Sequence, residues 1–150
     1  MRAVLQRVTE ASVSIDGIVK GQIGKGLLIL LGVGKEDTKA DAEILVRKIA
    51  AARIFSDEND KMNLSVKDIE GSLLIISNFT LYGDMKKGSR PSFDPAMPPL
   101  AAKELYEYFC KEMEKEGLPV ATGEFGADMK VSSLNDGPVT IFMDTSIWSK

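Results

Sequence analysis

The chain has 150 residues, 44% hydrophobic and 27% charged, with a formal net charge of −3. This balance fits one folded domain with a real core, excludes a low-complexity chain, and argues against indiscriminate nucleic-acid binding while leaving room for a local basic patch. Histidine is absent and Cys110 is the one cysteine, which excludes Ser-His-Asp and Cys-His catalysis, the usual His-bearing metal sites and an intramolecular disulfide.

Residues 2–15 alternate apolar and polar, which predicts a strand with Val4, Val8, Val13 and Ile15 inward. The opening has no unbroken apolar stretch of the kind an export signal needs, and the run Leu27 to Leu31 is too short to cross a bilayer. A cytoplasmic address with no membrane contact is therefore expected. Asp16-Gly17 predicts a hairpin turn into a second strand, 18–23. The apolar run 27–33 predicts a strand buried on both faces. Asp37 or Thr38 can cap a helix running to about Phe55, with Ile44, Leu45, Ile49 and Ala52 on its apolar face. A polar turn at 56–61 follows, then a buried strand at 72–77.

Residues 83–99 hold four prolines and a basic cluster and predict a long loop, a feature that is often functional. A second helix is expected over 100–116, with Ala101, Leu105, Phe109 and Met113 as its stripe and Gly117 ending it. Strands are expected at 118–122, 129–134 and 139–144. The fold class is α/β: mixed β-sheet in a barrel-like arrangement with two main helices, one domain over 1–150.

Two short stretches mislead. LILLGVGKE at 28–36 looks like a strand entering a phosphate loop, but Ile29 stands where that loop needs glycine and Glu36 where it needs Ser or Thr. A buried strand ending in a glycine turn is the better reading. Cys110 sits near the apolar side of the second helix, so an inert thiol is expected.

Two segments carry chemistry. Ser77-Asn78-Phe79-Thr80-Leu81 directly follows a buried strand. It offers two hydroxyls, and the backbone N–H groups of Phe79 and Thr80 could receive a developing oxyanion. Asn135-Asp136-Gly137-Pro138-Val139-Thr140 is turn material whose Gly-Pro bond can be cis. In that form its carbonyl oxygens would face one side and accept an ammonium group. Each segment alone also fits a plain structural role, a polar strand end and a hairpin turn.

Together they resemble the Ser-Gln-x-x-Leu and Asn-x-Gly-Pro-x-Thr motifs of the D-aminoacyl-tRNA deacylase family. MRAVLQRV at the start, KKGSRPSF at 86–93 and TGEFGADMKV at 122–131 are similar as well, so the resemblance runs along the whole chain. One position departs: Asn78 stands where the family has glutamine.

The resemblance implies hydrolysis of the ester between a D-amino acid, or glycine, and tRNA, with no cofactor or metal. It implies a homodimer in which Gly137-Pro138 of one copy enters the pocket of the other and excludes L side chains, with Arg7 fixing that dipeptide. Ser77, Phe79 and Thr80 are implied on the catalytic side, with the terminal ribose hydroxyl of the tRNA helping to activate water. Asn78, Asn135 and Met129 join Gly137, Pro138 and Arg7 on the substrate side. No visible base could activate Thr80 as a nucleophile. Lys86, Lys87 and Arg90 are expected to meet tRNA phosphates, and no DNA partner is expected. Two rivals remain: a paralogous deacylase with a trans Gly-Pro bond acting on L-alanyl-tRNA, and a non-catalytic RNA-binding module.

Overall fold

The computed structural model describes residues 1–149. Its strands are β1 (Arg2–Ile15), β2 (Ile18–Ile23), β3 (Gly26–Gly32), β4 (Phe55–Ser56), β5 (Met62–Leu64), β6 (Ser72–Ser77), β7 (Val120–Thr122) and β8 (Lys130–Asp144). Helix α1 is Lys39–Ala51 and α2 is Pro99–Lys115.

β1 organises the sheet. Its first half pairs antiparallel with β3, its second half with β2, and its other edge with β8. β6 runs parallel to β3, and β7 parallel to β6. Asp16 and Gly17 carry positive φ of 51° and 80° at the β1–β2 turn, as an Asp-Gly hairpin requires. At the far side β2 curls back toward β7. A Cβ on Gly21 would stand 2.6 Å from the Thr122 carbonyl oxygen, so only glycine lets these strands come so close. The mixed sheet thus nearly closes into a barrel, and two helices cover it, as expected for this fold class.

The central strands bury both faces. Leu27, Ile29, Leu31, Leu73 and Ile75 share one core with Leu45, Ile49, Phe109 and Met113 of the helices. Leu28, Leu74 and Ile76 share the second core with Val8, Ala11 and Val13 inside the curl. Each buried aliphatic side chain stabilises by about 1.5–3 kcal/mol relative to exposure. Tyr106 of α2 pins helix to sheet by donating its hydroxyl to the Ile75 carbonyl at 2.7 Å in a buried setting.

Several boundaries differ from the expectation. β1 buries Ala3, Leu5, Val8, Ala11 and Val13, while Val4 and Ile15 stay half-buried. The alternation slips because the β1–β8 register shifts twice, around Val8. α1 starts after Thr38, whose N–H donates to the Asp41 carboxylate at 2.9 Å. It stops at Ala51 rather than near Phe55, because Phe55 leaves to pair with Leu64 in the small β4–β5 hairpin. Ile44 and Ala52 are only half-buried, and Ala42, Val46 and Ala50 complete the face. On α2, Ala101 is exposed and Ala102 takes its place, joined by Tyr106 and Cys110. Gly117 does follow the helix end, with φ +86°.

The largest difference lies at 129–144. The sequence suggests two strands and a turn, but both halves pair with β1 in one antiparallel direction. Gln6 faces Thr140 and Val8 faces Asn135, so four residues, 136–139, bulge out opposite the single residue Arg7.

Candidate active site

A cavity of about 1020 Å³ opens beyond the C-terminal ends of the parallel strands β3 and β6, the place where such sheets receive ligands. Leu28, Leu30 and Ile76 form its floor, and Ser77, Asn78, Phe79 and Thr80 form one wall. Phe93, Met97, Pro98 and Pro99 come from the long loop and the start of α2, and Phe125 and Met129 from the segment before β8. Met129 is accommodated by Gly123, where any Cβ would stand 2.5 Å from its sulfur.

The wall is a 3₁₀ turn, Phe79–Tyr82, entered from the last residue of β6. Asn78 N–H donates to the Leu31 carbonyl at 2.8 Å and continues the strand pairing into the turn. The Asn78 side chain then caps the turn: its Oδ1 accepts Thr80 N–H at 3.2 Å and also accepts the Thr80 hydroxyl. One of the two expected oxyanion donors, Thr80 N–H, is thereby engaged inside the chain. Phe79 N–H makes no hydrogen bond within the chain among the described residues. The Phe79 ring is exposed and meets Phe93 edge-on, 5.0 Å between centroids at 73°.

The turn lies tightly on the end of β3. A Cβ on Gly32 would stand 3.0 Å from Leu81 Cβ and 3.1 Å from the Asn78 carbonyl oxygen. One on Gly34 would stand 2.8 Å from the Tyr82 ring and hydroxyl oxygen. The glycines of LGVG therefore serve close approach of this turn, not phosphate binding. Burial is the main reason that the half-buried Tyr82 hydroxyl is pushed above its usual range, with Asp37 and Asp144 adding to it and Arg2 opposing.

A second group assembles on the β8 bulge, apart from this cavity. Arg7 Nε donates to the Asp136 carbonyl at 3.1 Å and lies 3.4 Å from the Asp136 carboxylate. Its Nη1 donates to the Ile54 carbonyl at 3.0 Å, which anchors the guanidinium to the body of the fold. Asn135 Nδ2 donates to the Arg7 and Val139 carbonyls, both at 3.1 Å, and so closes the base of the bulge. The Gly137-Pro138 bond is cis and both residues are exposed. Gly137 has φ +130°, and an added Cβ would stand 2.9 Å from Val139 and 3.2 Å from Arg7 Nη2. Glycine is required there on both counts.

Ser77, Asn78, Phe79, Thr80 and Met129 thus share the cavity, and Arg7, Asn135, Gly137 and Pro138 share the bulge. Lys86, Lys87 and Arg90 are exposed on the same loop that supplies Phe93 to the cavity. Residue type alone gave no pocket role to Phe93, Gly32 or Gly34, although the LGVG spacing carried a signal for the glycines and Phe93 ends the KKGSRPSF stretch. Burial pushes the Cys110 thiol up to about 12, Tyr106 opposing and Glu114 and Glu107 adding, as befits an inert core group. No group of three or more His, Cys, Asp or Glu side chains that could hold a metal ion occurs among the described residues. Among the described residues no helix is long and apolar enough to cross a membrane.

A family model described as D-Tyr-tRNA(Tyr) deacylase matches residues 4–144. A D-aminoacyl-tRNA deacylase of Koribacter versatilis is 57% identical over 145 residues, 97% of each chain. One from Thermosipho melanesiensis is 57% identical over 146 residues, again 97% of each. Among solved structures, a c-Myc DNA unwinding element binding protein is 42% identical with a TM-score of 0.90, over 96% of this chain and 98% of that one. A probable eukaryotic D-amino acid tRNA deacylase shares the fold, with a TM-score of 0.81 at 17% identity over 95% and 97% of the two chains.

Proposed function

Because this chain belongs to the D-Tyr-tRNA(Tyr) deacylase family, we propose that it is a hydrolase for the ester between a D-amino acid, or glycine, and the 3′ end of tRNA. The carrying observation is a separation. The cavity holds Ser77 to Thr80, while Gly137-Pro138, the other half of the family pattern, projects from an exposed bulge elsewhere on the chain. A second copy supplies what one copy lacks. β8 also leaves Leu134 and Phe142 more than half exposed, an apolar face suited to a homodimer.

In this reading the partner copy's Gly137-Pro138 accepts the substrate ammonium and occupies the space an L side chain would need. D side chains point away, and glycine has none. Backbone atoms held from two sides make a firmer wall than a mobile side chain. The ester carbonyl lies against the turn, where Phe79 N–H can stabilise the oxyanion. The terminal ribose hydroxyl helps to activate water, so the protein needs no histidine. Ser77 and Thr80 shape the pocket, and Lys86, Lys87 and Arg90 meet tRNA phosphates. The compartment that fits this role is the cytoplasm.

The deciding experiment is hydrolysis of matched D- and L-aminoacyl-tRNA, alongside sedimentation of the free protein. We expect a dimer that cleaves the D ester and glycyl-tRNA but spares the L ester. Cleavage of L-alanyl-tRNA would favour the paralogous activity. Tight tRNA or duplex DNA binding with no cleavage would favour a silent nucleic-acid module.

A further inference from the structure

The 3₁₀ turn at the cavity wall is held at both ends, and its second holder lies outside the cavity. Arg2 of β1 donates from Nη1 to the Leu81 carbonyl at 2.9 Å. Its guanidinium carbon sits 4.4 Å from the centre of the Tyr82 ring. Its Nε donates to Asp144 Oδ2 at 3.1 Å. One planar group thus grips two consecutive residues of the turn while the end of β8 aims it. The register explains how. Arg2 stands opposite Gly32 on one side and Asp144 on the other, and Gly32 has no side chain to keep the turn away.

We propose that Arg2 is a positioning residue for the deacylation reaction, fixing the carbonyl end of the turn whose amide end faces the substrate ester. This rests on the deacylase reading above. The last carbonyls of a helical turn have no partner within it, and Thr80 and Leu81 show the two solutions here. The Thr80 carbonyl accepts Gly83 N–H at 2.9 Å, and the Leu81 carbonyl accepts Arg2. Asn78 fixes the amide end and Arg2 the carbonyl end, so the turn cannot roll about its axis. Arginine suits the task better than lysine, because its flat fork can donate in two directions while stacking on a ring. Arg2 does not line the cavity, so its influence belongs in the chemical step and not in substrate affinity. The Arg2–Asp144 pair is itself partly exposed, with 34% and 22% of the side chains accessible, so it adds little to global stability.

Single-turnover deacylation by full-length Arg2→Met, Arg2→Lys and Asp144→Asn proteins, with KM, tRNA affinity and amide exchange measured alongside, tests this. Arg2→Met should slow the chemical step about tenfold with KM within about twofold of wild type. Arg2→Lys and Asp144→Asn should fall between the two. Amide exchange should quicken across residues 80–83 and stay unchanged in β6. A wild-type chemical rate in Arg2→Met, or a loss confined to KM, would overturn the proposal. So would unaltered exchange in the turn, a readout that holds even if the wild-type protein deacylates nothing. That last result would sink the deacylase reading separately. Should Arg2→Met fail to fold, Arg2→Lys and Asp144→Asn carry the same decision.

Discussion

Arg7 and Asp136 face each other across the wider of the two breaks in the β1–β8 pairing, with Arg7 Nε 3.1 Å from the Asp136 carbonyl oxygen and 3.4 Å from its carboxylate. The Arg7 side chain is only 12% exposed while that of Asp136 is 47% exposed, so the buried partner steers the exposed one. Hydrogen bonds to a charged group contribute about 1.5–3 kcal/mol. Arg7→Met should therefore lower D-aminoacyl-tRNA cleavage by about 10- to 100-fold, and the gap between D and L substrates should narrow as the dipeptide wanders. Paired D and L rates on the variant check this. An unchanged ratio would mean that the bulge keeps its shape without Arg7.

That pairing break also marks how far the sequence could be read. The buried runs at 27–33 and 72–77 and the Asp16-Gly17 hairpin were legible because each is dictated by local pattern. The bulge was not. Asn-Asp-Gly-Pro looks the same whether a chain turns back or swells out of one strand, and only pairing of both flanks with β1 decides it. The end of α1 was hidden for a similar reason, since Phe55 satisfies a helical pattern until its pairing with Leu64 claims it. In the candidate site, the grouping of Ser77 to Thr80 in one wall was legible from their place after a buried strand. The contacts of Arg2 were not, because its partners at Leu81 and Asp144 lie 79 and 142 residues away.

Thr80 illustrates a hydroxyl with no base. Its proton goes to the Asn78 side-chain oxygen, an amide that accepts a hydrogen bond but does not take up a proton at neutral pH. An activated nucleophile needs a true base in that position. Thr80→Ala should keep the single-turnover rate within about tenfold of wild type, whereas loss of a nucleophile and its activation would cost several powers of ten. A loss of the larger size with folding intact would restore the nucleophile.

The loop cations predict a salt signature. Lys86, Lys87 and Arg90 are exposed, and each phosphate neutralised adds about 0.7–0.9 to the slope of log affinity against log salt. Charge reversal at all three should weaken tRNA binding and flatten that slope by about two to three. Titrations at several salt concentrations would check it, and parallel lines for wild type and variant would remove the loop from the interface.

Cys110 gives a pH prediction. Burial disfavours its thiolate and carries it from an ordinary 9.0 up to about 12. The folded thiol therefore holds its proton where the unfolded thiol loses it. The sign follows: Cys110 has no effect on stability below about pH 9 and disfavours the fold as pH climbs from there toward 12. Cys110→Ala should flatten the alkaline fall in melting temperature. At pH 8 alkylation of the native protein should be slow and should accelerate on unfolding. Rapid native labelling would contradict the buried setting.

Gly26 and Gly24 form a matched pair of tests for the sheet. A Cβ on Gly26 would stand 1.8 Å from the Ser72 carbonyl oxygen and 2.7 Å from its nitrogen, both backbone atoms that no rotamer can move. Gly26 faces Ser72 at the first step of the parallel β3–β6 ladder, so relief requires prising the two central strands apart. Gly24, two residues earlier, has nothing within 4 Å of the same position. Gly26→Ala should destabilise by about 3–5 kcal/mol, in the range of severe core damage, and Gly24→Ala by less than about 1 kcal/mol. For a chain of this length the first corresponds to a fall in Tm of roughly 6–20 °C. Urea and thermal melts of the two variants decide it, because equal effects would place the strain somewhere other than the β3–β6 seam.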